Sequence, residues 1–121
     1  MDPSSYYTLS VYVVKLLLDN FHYQEAESLL FELKKRNQEV QSIPDEIEIE
    51  ILRGRCYPTQ ADKERAFQHL FKADRYMIAL GERIEPERLK ELQIEYLASL
   101  RELQIAGKEL MYAHGNIIRT L

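Results

Sequence analysis

A single cysteine, four glycines and four prolines in 121 residues exclude several kinds of protein before any pattern is sought. The lone Cys56 cannot form an internal disulfide, so this is no disulfide scaffold, and the cytoplasm is the expected compartment. Little glycine also means no phosphate-cradling loop: Arg53-Gly54-Arg55 is a cationic pair around a glycine without the rest of such a motif. With 45% apolar and 30% charged residues, the composition favours a helical globular chain over disorder or β structure. No apolar run reaches the length of a membrane span. Residues 6–18 are largely apolar but short and carry Lys15, and Asp2 stands where a signal peptide would be basic. The net charge of −4 divides as −2 over residues 1–40, −1 over 41–80 and −1 over 81–121, so no basic face emerges. Neither a membrane nor a direct nucleic-acid partner is expected.

Reactive constellations are equally scarce. His22, His69 and His114 show no metal-type spacing to one another or to Cys56, so no metal or cofactor is expected. Cys56, beside Tyr57, reads as an inert, partly buried thiol. Glu48 with Glu50, and Glu91 with Glu95, sit among Lys and Arg at helical spacing and read as solvated faces, not acid–base pairs. With no nucleophile, base and orienting acid in one place, the chain is not expected to be an enzyme.

Helical punctuation is plentiful. Asp2-Pro3-Ser4-Ser5 predicts a helix starting near residue 4, with Leu9, Val13, Leu16 and Leu17 as an inward stripe. Tyr6, Val11, Tyr12, Val14 and Leu18 populate its other sides, which predicts more than one buried face. A turn at residues 20–23 leads to a second helix over about 24–41, with Ala26, Leu29, Leu30 and Leu33 inward. Ser42 is placed to cap a third helix, with Asp45 three residues on. Residues 46–51 alternate Glu and Ile with period two, the pattern of a strand, yet a lone strand among helices would have no partner to pair with. Helix is therefore predicted there. Pro58-Thr59-Gln60 ends that element, and a fourth helix over about 61–80 points Ala66, Phe67, Leu70, Ala73 and Met77 inward and stops at Gly81. From about residue 87 two readings stay open. One is a long helix to about 114, with Leu89, Leu92, Tyr96, Ser99, Leu103, Ala106, Leu110, Ala113 and Ile117 on one stripe; the other is a third repeat with a break near residues 100–103.

The repeat reading comes from spacing. Ala26-x3-Leu30, Ala66-x3-Leu70 and Ala106-x3-Leu110 recur every forty residues, which divides a single domain over 1–121 into repeats at about 4–41, 42–82 and 83–121. With Gly54-x2-Tyr57 and Ala73, this set resembles the tetratricopeptide repeat, in which small residues let two antiparallel helices approach and large ones fill the space beside them. The consensus tryptophan falls at Glu50, the leucine at Arg53 and the late proline at Ile78, and Val14 stands where the first repeat would have glycine. The longer period and the Ala79-Leu80-Gly81 ending are similar to the repeat domains of Gram-positive peptide-pheromone receptors of the Rgg and PlcR type. No DNA-binding helix-turn-helix is visible beside them. That resemblance implies an excised sensor domain or a relative without the DNA reader.

The fold class expected is all-α, antiparallel helix hairpins stacked as a short tetratricopeptide-like α-solenoid. The resemblance implies that a ligand lies on the concave face built by the first helix of each hairpin. By register that face carries Thr8, Tyr12, Lys15 and Asp19, then Glu48 and Arg55, then Arg88, Glu91 and Glu95. Tyr12 and Tyr96 suit either core or groove lining. The function expected is a non-enzymatic protein- or peptide-binding module acting as adaptor, chaperone or sensor. Its alternatives are a peptide-sensing domain of a transcription regulator and a structural assembly subunit. The over-apolar first helix also predicts a homodimer, formed through that helix or the C-terminal one.

Overall fold

The computed structural model describes residues 2–106. Among them run five α-helices and no strand: α1 Pro3–Asp19, α2 Tyr23–Val40, α3 Ile43–Gly54, α4 Lys63–Leu80 and α5 Pro86–Ala106. Two short 3-10 turns, Gln60–Asp62 and Gly81–Arg83, precede α4 and α5. The helix starts follow local chemistry. Asp2 accepts from the Ser5 N–H at 2.9 Å ahead of Pro3, and Ser42 accepts from the Asp45 N–H at 3.3 Å ahead of Pro44. Helix α2 ends where Gln41 turns left-handed, φ 59°, and returns its N–H to Asn37. The buried Asn37 amide then ties the turn, donating to the Ser42 carbonyl and to Glu46 and accepting from the Ser42 N–H.

Pairings along the helices set their directions. Glu27 meets Tyr57, Lys34 meets Glu50 and Asn37 meets Glu46, so α2 runs antiparallel to α3. Gly54 lies against Ala66 and Leu70 while Glu50 meets His69 and Lys72, so α4 is antiparallel to α3 as well. Tyr7 and Arg88 both reach Glu48, and Asp19 and Glu102 both reach Arg55, which leaves α1, α3 and α5 parallel. Helix α3 is the enclosed centre. Residues 47–52 are all buried, which explains why a period-two sequence is satisfied as a helix: every side of it faces a neighbour.

Two expectations change. Leu9, Val13 and Leu16 face outward, Leu17 is only half-buried, and the inward stripe is Tyr7, Val11, Val14 and Leu18. With apolar residues all round α1, periodicity leaves its rotation open, and the polar bonds from Tyr7 and Lys15 to Glu48 settle it. Helix α4 does stop at Gly81 as expected, where φ −58° and ψ −33° carry the chain on into the 3-10 turn. Helix α5 passes unbroken through residues 100–103, burying Leu92, Tyr96, Ser99, Leu100 and Leu103, so the break of a third repeat is not there. Its residues are good helix formers with nothing to stop them. Leu110, Ala113, His114 and Ile117 lie outside the described residues, as does most of the last stretch of the expected third repeat.

Candidate binding groove

The first halves of α1, α3 and α5 and the end of α2 enclose a cavity of about 970 Å³. Its floor is built on Glu48, 4% exposed. Tyr7 donates to one carboxylate oxygen at 2.6 Å, Arg88 donates to the same oxygen at 2.9 Å, and the Lys15 ammonium lies 3.9 Å from the other. Lys15 also reaches Glu95 at 3.4 Å, and Arg88 donates to Glu91 at 3.1 Å. Burial, then the neighbouring Glu48 charge, pushes the Tyr7 hydroxyl far above its ordinary range, so it stays a neutral donor. The same two causes raise the Glu95 carboxyl against the pull of Lys15, and burial raises Asp45. Burial alone would lower Arg88, but Glu48, Glu91 and Tyr7 together outweigh it and the guanidinium is held more firmly charged.

Six of the nine residues selected by register line this cavity: Thr8, Tyr12, Lys15, Glu48, Arg88 and Glu91. Glu95 joins them through Lys15. Asp19 and Arg55, 3.9 Å apart, lie on a second cavity of about 330 Å³ at the other ends of the same helices. Thr8 turns its hydroxyl back to the Ser4 carbonyl. Tyr12 is not core: it is 61% exposed on the rim, while Tyr96 is buried. Glu48 and Glu50 are not a solvated face, because α3 is covered on both sides that carry them.

Register could not find the residues that α2 contributes. Arg36 places its guanidinium 3.8 Å from the centre of the Tyr6 ring, a cation on an aromatic face at the cavity wall, and Asn37 and Val40 extend that wall. Tyr7 had a signal, since Tyr7, Val11, Val14 and Leu18 fall at helical spacing; Arg36 had none, because its position depends on how α2 meets α1.

No protein-family model, curated protein or solved structure matches this chain. The chemistry of the groove has to be read from its own atoms. It holds amphipathic rings, a buried and charge-paired carboxylate, and rim charges of both signs. Cys56 lines neither cavity, and burial pushes its thiol up to about 12. Among the described residues no group of His, Cys, Asp and Glu is arranged to hold a metal ion, and no helix is long and apolar enough to cross a membrane.

Proposed function

We propose that this chain is a non-enzymatic binding module of tetratricopeptide-like architecture that takes an extended peptide or a partner helix along the groove of α1, α3 and α5. The carrying observation is the convergence of Tyr6, Tyr7 and Tyr12 with Arg36 above a floor whose own charges are already paired. A paired floor asks nothing of a ligand except fit, while exposed rings and rim charges offer area and orientation. The parallel course of the three lining helices, with antiparallel partners behind them, supports the stacked-hairpin reading. The test is selection of peptides from a displayed library, followed by calorimetry on variants. Tyr12→Ala and Arg36→Glu should each weaken selected peptides tenfold or more, with helical content unchanged, while Ile78→Ala on the exposed face of α4 should leave binding intact. Peptides indifferent to both groove variants would sink this reading.

A second reading has its own observation. Leu9 and Leu16, 52% and 45% exposed, stand with Val13 on the outward side of α1, an apolar strip suited to a second copy in an assembly. Sedimentation decides whether that strip is covered.

A further inference from the structure

The groove carries more negative charge than its own cations balance. Glu48, Glu91 and Glu95 share two partners: Lys15 lies 3.9 Å from Glu48 and 3.4 Å from Glu95, and Arg88 donates to Glu48 at 2.9 Å and to Glu91 at 3.1 Å. Glu39 and Asp45 line the same cavity, and neither makes an ion pair with any described residue. The third cation of the wall, Arg36, makes none either, because its guanidinium lies on the Tyr6 ring. Asp2 is taken up in capping α1. Five other carboxylates therefore stand against three cations, which leaves two negative charges over. Asp45 sits in the first turn of α3, where the positive end of the helix favours it, so its place does not depend on a counter-ion. Burial, with the Glu48 charge adding to it, raises the Asp45 carboxyl against Arg88 and the Glu95 carboxyl against Lys15, the direction that surplus negative charge imposes.

The rings beside these acids suit a cation too. Tyr12 stands on the rim, 61% exposed, with no cation on its face. Arg36 on Tyr6, 3.8 Å from the ring centre, is the contact that a ring in this groove makes with a guanidinium. An arginine supplied by a ligand can stack its plane on a ring while its N–H edge forks onto a carboxylate, which a lysine cannot do. An acidic ligand would instead add to a surplus already present. The cavity of about 970 Å³ is at the large end of ligand pockets, which run from roughly 300 to 1,000 Å³, so it takes several side chains of one segment together. Resting on the reading of this groove as a peptide site, we propose that its occupant is a basic segment of a partner protein, whose arginines take up the surplus charge of Glu39, Asp45 and Glu91 and stack on Tyr12.

The experiment sorts a random dodecapeptide display library on the immobilised full chain, then measures the synthesised winners, and spermidine, by calorimetry at low and at high salt. The winners should carry net positive charge with arginine enriched over lysine, and their affinity should fall as salt rises. Asp45→Asn combined with Glu91→Gln should weaken them tenfold or more and flatten the salt dependence. Glu25→Gln combined with Glu32→Gln makes the same change in overall charge on a part of α2 that does not line the groove, and should leave both unchanged. If the Asp45 variant fails to fold, Glu39→Gln with Glu91→Gln, both exposed, carries the same expectation. Neutral or acidic winners that still depend on Tyr12 overturn the basic segment and leave the groove reading standing. Basic winners that lose as much affinity to the Glu25 and Glu32 pair as to the groove pair are drawn by overall charge, which also overturns it. Spermidine binding as tightly as the winners overturns a protein segment as the occupant, and a library with no winner removes both readings.

Discussion

On α3, Glu48 and Glu50 stand about 200° apart around the helix axis, so one faces the groove and the other faces α2 and α4. Glu50 is completely buried and surrounded: Lys34 donates to it at 2.6 Å, His69 Nδ1 lies at 2.7 Å, and Arg53 and Lys72 lie within 4 Å. Burial by itself would raise its carboxyl, but the bonds from His69 and Lys34 outweigh burial and hold it down at about 2. A folded pKa below the unfolded value of 4.5 means stability that is present above about pH 4.5 and lost as pH falls toward 2. That stability amounts to about 3 kcal/mol, because each tenfold change in proton affinity corresponds to about 1.4 kcal/mol. Urea unfolding between pH 2 and 7 should show that loss in the wild type. Glu50→Gln should cost about as much at pH 7 and flatten the acid limb; an unchanged limb would mean that Glu50 is not the group responsible. The burial of the two carboxylates was not legible beforehand. Alternating Glu and Ile in a surface helix would be solvated, and only enclosure by four other helices makes both acids buried.

The helix starts and the close helix contact are the features that sequence carries best, because each cap rests on residues a few positions apart and the contact on small residues of two helices consecutive in the chain. Asp2 and Ser42 cap as their types require, and the Gly54, Ala66 and Leu70 spacing does bring α3 against α4. A Cβ on Gly54 would lie 3.0 Å from Leu70 Cγ and 3.2 Å from the Ala66 carbonyl oxygen, and the backbone atom cannot give way cheaply. Gly54→Ala should therefore destabilise by about 1–3 kcal/mol, despite the better helix propensity of alanine. At Gly81 the same atom would meet only the flexible end of Leu89, at 3.3 Å, on a backbone already right-handed. Gly81→Ala should be neutral or stabilise by up to about 1 kcal/mol. Denaturant midpoints of the two variants, measured together, check both signs. The rotation of α1 and the length of α5 were harder to read, since an all-round apolar helix and a long run of good helix formers each fit two patterns equally well.

For the molecule as a whole, the unpartnered strip on α1 makes a prediction about mass. If Leu9, Val13 and Leu16 are covered by a second copy, Leu9→Glu combined with Leu16→Glu should give a monomer in sedimentation while the wild type is larger, with helical content equal in both. A wild type that stays monomeric at high micromolar concentration removes the assembly reading. Composition, capping residues and spacing by themselves determined that this chain is helical and where its first and third helices begin, because those properties depend on short-range stereochemistry. Tertiary structure alone decided which side of α1 is inward, that Glu48 and Glu50 are buried, and that Arg36 reaches Tyr6. Each of those depends on how separate helices approach in space, and burial and charge pairing are properties of that approach.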